Sequence, residues 1–75
     1  MIDILFFGRV SDLIGKRRMD MALPAGGLSL FELREQLFAG HEDNVRMSVN
    51  QKVVSLDQPL NDGDEVAFFS VFSGG

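Results

Sequence analysis

Hydrophobic and polar positions alternate with period two at the start of the chain. In "IDILFF", Ile2, Ile4 and Phe6 fall on one side of an extended backbone, and Asp3, Leu5 and Phe7 on the other. That pattern predicts a strand, ended by Gly8. "RVSDLIG" supports a short helical turn stopped at Gly15. Alternation returns in "RRMDMAL", with Met19, Met21 and Leu23 opposite Arg18, Asp20 and Ala22. This second strand follows so closely that a hairpin-like pair is expected. "PAGG" then reads as loop.

The period changes after residue 28. Leu30, Leu33, Leu37 and Phe38 recur at helical spacing, with Phe31 slightly off the stripe and Glu32, Arg34, Glu35 and Gln36 on the polar side. Ser29 and Glu32 have the spacing of a capping box, and Gly40 is placed for a left-handed stop. "HEDN" is polar loop. "RMSVN" and "VVSL" predict short strands around a reversal at "QK". "NDGD" is a turn built on Gly63, and "EVAFFSV" is the last strand. The order β-β-α-β-β-β predicts an α+β domain, a mixed sheet curled over one main helix in a ubiquitin-like roll.

One helix covers one face of a sheet, so the other face should be mainly polar. Here it carries Leu5 and Phe7 on the first strand, and Val66 and Phe68 alternate with Ala67 and Phe69 on the last. Burying such a side chain stabilises by roughly 1.5–3 kcal/mol, and a contiguous apolar patch on a small domain marks a partner surface. Val53, near the middle strands, can join it. Curvature under loops is the alternative for any one of these side chains. For Leu5, Phe7 and Phe69 together the expectation is a docking surface.

Composition narrows the chemistry. The chain has 75 residues, room for one domain, and such a chain buries only about 60% of its unfolded surface. A deep catalytic pocket is not expected. With no cysteine there are no disulfides and no thiolate metal site. A hydrophobic fraction of 45% suffices for a core. The net charge of −4 argues against nucleic acid, since Lys16 to Arg18 is the only basic cluster. "MIDILFFGRV" is too short to span a bilayer and lacks the marks of a signal peptide, so a cytoplasmic location without membrane contact is expected. His41 is the single histidine, and the serines have no evident base, so no triad is assembled. The adjacent residues of "HED" do not converge on one ion, and Asp62, Asp64 and Glu65 are expected to shape a turn. Gly26-Gly27 has neither the length nor the lysine of a phosphate loop. The body has no catalytic equipment of its own.

The chain ends in "SVFSGG". Gly74 and Gly75 carry no Cβ, so a narrow channel can grip their backbone closely. The Gly75 carboxylate is the one group the chain can present away from its body. Adenylation would make it a mixed anhydride open to sulfur or nitrogen nucleophiles. Fraying of a terminus is the alternative for a glycine pair alone. The expected division is a body over 1–72 and a flexible tail over 73–75.

These features together resemble a family. "ILFFGRVSDLIG", "VNQKVVSLDQPLNDGDEVAFF" and the final Gly74-Gly75 are similar to the small subunit of molybdopterin synthase, the MoaD-type members of the MoaD/ThiS ubiquitin-like sulfur carriers. The resemblance covers nearly the whole chain and implies a β-grasp fold. One departure is local: Ser70, Val71 and Phe72 stand where the family often has prolines, which loosens the tail's exit direction. The resemblance further implies a non-catalytic carrier subunit of a transferase. A MoeB-type, E1-like adenylyltransferase would use ATP to activate Gly75, and a sulfur donor would convert it to a thiocarboxylate. Gly74 and Ser73 would lie in the channel of the MoaE-type large subunit, in a heterotetramer. There the sulfur would pass to cyclic pyranopterin monophosphate to form the dithiolene. The family's docking residues fall on Phe7, Val53 and Phe69, beside Leu5. No cofactor is expected on this chain; ATP and zinc belong to the activating enzyme. A sulfur carrier for thiamine thiazole synthesis, a ubiquitin-type modifier joined through Gly75, and a passive interaction module are the competing readings.

Overall fold

A computed structural model describes residues 1–41 and 44–70. Among them, five strands form one mixed sheet: β1 (Ile2–Phe6), β2 (Arg18–Met21), β3 (Val45–Val49), β4 (Lys52–Val54) and β5 (Glu65–Ser70). The spatial order is β2-β1-β5-β3-β4. β1 and β5 run parallel at the centre, and the other neighbours are antiparallel. The predicted strand pair at the start is present, with Ile2 opposite Met21 and Leu5 opposite Arg18. Its connection holds the expected short helical element. Arg9–Ile14 forms a six-residue helix, α1, anchored by buried Val10 and closed by Gly15 at φ 88°.

The main helix, α2, spans Leu30–Phe38. Both halves of the capping box form: Ser29 Oγ accepts from Glu32 N–H, and Glu32 accepts from Ser29 N–H at 2.8 Å. The next donors are met from the loop after β4. Gln58 carbonyl accepts from Leu30 N–H at 2.9 Å, and Asp57 accepts from Phe31 N–H at 2.9 Å. The helix start is thereby satisfied without water. Gly40, at φ 86°, takes the left-handed position just past the helix, as its placement predicts. Ser29→Ala removes one of these acceptors and should cost about 1 kcal/mol of stability in urea unfolding.

The helix covers the sheet face that the alternation in β1 identified. Ile2, Ile4, Phe6, Met47, Val49, Val66 and Phe68 are buried there with Leu30, Leu33 and Phe38. Three rings form its centre. Phe38 and Phe68 have centroids 5.0 Å apart, and Phe6 lies 6.1 Å from Phe68 and 6.2 Å from Phe38. A mixed sheet grasping one principal helix in this way is a β-grasp fold. Arg34, on the outer side of α2, is half-buried and lies 4.1 Å over the Phe31 ring.

Two expectations need correction. The reversal between β3 and β4 is Asn50-Gln51, not Gln51-Lys52, and Lys52 is already the first residue of β4. Asn50 and Gln51 have φ 51° and 71°. A two-residue hairpin twisted to match its strands needs positive φ at both positions, which asparagine tolerates best after glycine. Asn50 also has work for its amide: Nδ2 donates to Asp64 and Oδ1 accepts from Glu65 N–H, both at 3.0 Å. The second correction concerns Val53. β4 lies at the edge of the sheet, so Val53 is a rim residue and not a central one.

The turn at Asn61–Asp64 forms as predicted, with Gly63 at φ 91°. Asp64 accepts from Asn61 N–H at 2.8 Å, so this acid shapes the turn. Asp62 accepts from the Met1 ammonium, and that hydrogen bond, with the attraction of the charge, holds its carboxyl below the usual carboxylate range. β5 is described to Ser70. Val71 and the tail over 73–75 lie outside the described residues, as do Glu42 and Asp43 of the "HED" stretch.

Candidate functional site

The strand registers place the sequence-predicted docking residues on the sheet face opposite the helix. Leu5 is level with Ala67, Ala67 with Ser48, and Ser48 with Val53. One row therefore crosses the sheet from Arg18 through Leu5, Ala67 and Ser48 to Val53. Leu5 and Val53 are three strand spacings apart, roughly 14 Å. The next row toward the end of β5 carries Phe69, level with Arg46 on β3. Phe7 N–H donates to the Phe68 carbonyl at 3.0 Å, which carries the parallel register one residue past β1 and sets Phe7 level with Phe69.

Exposure differs along this face. Phe7 and Val53 are 52% and 69% exposed. Leu5 and Phe69 are half-buried, so they are less open than a bare patch would make them. Ala67 is only 6% exposed, although it points away from the helix. It is small and sits on the central strand between larger neighbours, which shield it. The result is a shallow apolar surface with a floor at Ala67 and taller rims at Phe7 and Val53. No second layer covers it among the described residues. Exposed apolar groups gathered on one face of a small domain make that face a candidate for partner recognition.

Polar groups divide this face by position. Asp20, Asp3 and Glu65 form an acidic row at the end where β5 begins. Arg18 is held by Asp3 at 3.2 Å. The apolar side chains lie toward the other end, where β5 reaches Ser70. The predicted docking residues Phe7 and Phe69 thus share one end of the sheet with Ser70, and Leu5 and Val53 lie one row in.

Two apolar residues escaped the sequence reading. Leu56, beyond β4, is 77% exposed, and Leu13 of α1 is also exposed. Leu13 lines a groove of about 380 Å³ with Val10, Val45, Arg9, His41 and Ser70. A short helix shows too few turns for its apolar stripe to be read, so Leu13 gave no periodic signal. His41 is exposed in this groove. Among the described residues no cluster of His, Asp and Glu is suited to hold a metal ion, and no helix is long and apolar enough to cross a membrane. Ser73, Gly74 and Gly75 lie outside the described residues.

The chain is similar to known proteins in sequence and in fold. The molybdopterin synthase sulfur carrier subunit of Escherichia coli K12 is 38% identical over 84 residues, covering 100% of both chains. A solved structure from Pyrococcus furiosus, assigned as molybdopterin converting factor subunit 1, superimposes with a TM-score of 0.75 at 28% identity, covering 92% of this chain and 94% of that one. A chain in the complex of subunits 1 and 2 of molybdopterin-converting factor from Helicobacter pylori superimposes with a TM-score of 0.61 at 25% identity, covering 99% and 97%. The model of the ThiS family matches residues 4–75, nearly the whole of the chain. With the grasp topology and the full-length match together, this chain belongs to the ThiS family.

Proposed function

We propose that this chain is the cytoplasmic sulfur carrier subunit of a molybdopterin synthase, working through the Gly75 carboxylate. The observation that carries the reading is the end-to-end match to the Escherichia coli sulfur carrier subunit. The family match running to residue 75 and the uncovered face beside the root of the tail support it.

On this reading the body serves as a docking surface, and the chemistry belongs to the tail and the partners. An adenylyltransferase of the MoeB type lets the Gly75 carboxylate attack the α-phosphorus of ATP, releasing pyrophosphate. The acyl-adenylate carries a good leaving group. A donor delivering sulfur at the sulfide level attacks the acyl carbon, breaks its bond to AMP and leaves a thiocarboxylate on Gly75. The face with Leu5, Phe7, Val53 and Phe69 then seats against a MoaE-type large subunit, with Ser73 and Gly74 in its channel. Sulfur passes there to cyclic pyranopterin monophosphate. This chain needs no bound cofactor for its part. The Helicobacter pylori neighbour was solved as a complex of two subunits, which fits a carrier that works only when docked.

The test is a mass spectrum of the chain expressed with and without the activating enzyme and a sulfur source. Exchange of one oxygen for sulfur shifts the mass nearly as much as methionine oxidation, and the chain has four methionines. Cleavage after Lys52 separates the two, because residues 53–75 contain no methionine. A shift confined to that fragment and lost on alkylation is the expected result. No shift with a competent activating enzyme, or an isopeptide bond to another protein, would refute the carrier reading.

A further inference from the structure

We propose that Arg46 pairs with a carboxylate of the large subunit when the carrier docks, an inference that rests on the docking face proposed above. Arg46 is exposed, and its Cα partner on the sheet is Phe69. Side chains of such directly opposed residues lie on one face with Cβ atoms roughly 5 Å apart. A partner that covers Phe69 therefore also covers Arg46. The guanidinium is always charged, and stripping its water without supplying an acceptor is expensive.

Among the described residues the carrier supplies no acceptor. Arg18, the other arginine on this face, is bound to Asp3, whereas Arg46 has no hydrogen bond or ion pair among the described residues. The acidic row of Asp20, Asp3 and Glu65 lies at the far end of the face. Arg46 stands one register position from the Val45–Ser70 pair, at the root of the tail. The compensating acceptor must come from the partner. A carboxylate matches the planar donor fork with two parallel hydrogen bonds. Such a pair, set beside an apolar contact and next to the tail, would steer encounter and fix which way the carrier sits.

The experiment is titration of the carrier against its cognate large subunit at low and high salt, with R46E, R46Q and Phe69→Asp. R46E should melt like the parent chain, since the side chain is exposed. It should weaken binding at least roughly tenfold at low salt and flatten the salt dependence, with R46Q between the two. Parental affinity and salt dependence in R46E, with binding lost in Phe69→Asp, would overturn the pairing and leave the docking face standing. Weakened binding with an unchanged salt dependence would also overturn it, because the effect would then be steric. Parental binding by both R46E and Phe69→Asp would refute the docking face itself, and the pairing with it.

Discussion

Deleting Gly75 is expected to reduce thiocarboxylate formation to background while the melting curve of the domain stays unchanged. The physical reason is reach. Removing one residue draws the terminal carboxylate back by about 3.3–3.6 Å in an extended tail. Adenylation requires reacting atoms about 3–3.5 Å apart and aligned, and a misplacement of about 1 Å costs around 10²-fold. The loss should therefore exceed that figure. Stability should not move, because the core among the described residues is already closed by side chains between Ile2 and Phe68. Gly74→Val offers a second reading of the same channel. It keeps the length and adds a branched side chain where close backbone approach is needed. Binding of the large subunit and activation should be scored separately. A Gly75-deleted chain that still supports molybdopterin formation would show a passive module whose tail does no chemistry.

The second large effect contrasts two neighbouring phenylalanines. Phe68→Ala should lower stability by about 3–5 kcal/mol, since Phe68 is fully buried and in contact with the Phe6 and Phe38 rings. That is a large part of the roughly 5–15 kcal/mol that holds a domain together. Phe69→Asp should change stability by only about 1 kcal/mol, on the scale of strand preferences. It should instead remove about 2 kcal/mol or more of binding to the large subunit, as truncation of a central interface aromatic does. Urea unfolding and calorimetric titration of both variants check the pair. Phe69→Asp that unfolds would place Phe69 in the core. Phe69→Asp that folds and binds normally would move the docking face elsewhere.

The contrast works because one residue step along a strand turns a side chain from the core to the opposite face of the sheet. That alternation is local and was readable in "EVAFF" and "IDILFF". The helix was equally readable, since Ser29 and Glu32 act within one turn and the stripe from Leu30 to Phe38 repeats without interruption. The turn at Asn61–Asp64 needed only Gly63 and its acidic neighbours. Less was legible where a local rule had two solutions. The β3–β4 reversal slipped by one residue because both Asn50-Gln51 and Gln51-Lys52 fit a short loop. The bonds from Asn50 to Asp64 and Glu65, fourteen and fifteen residues away, decide between them. Helix α1 is legible as a short helical turn stopped by Gly15, but its anchoring is not, since that rests on Val10 meeting the sheet.

The sequence by itself determined which residues turn inward and which outward, because period and capping depend on neighbours a few residues apart. It also carried the family resemblance and the glycine pair at the end. Only the tertiary structure decided what those outward residues do together. Strand order and register are set by pairing between residues as distant as Asp3 and Glu65, and no local period encodes them. That pairing put β4 at the edge, sank Ala67 between Leu5 and Ser48, and gathered Phe7 and Phe69 at one end. It also left Arg46 beside Phe69 without a counter-charge among the described residues, a placement that the sequence alone does not reveal.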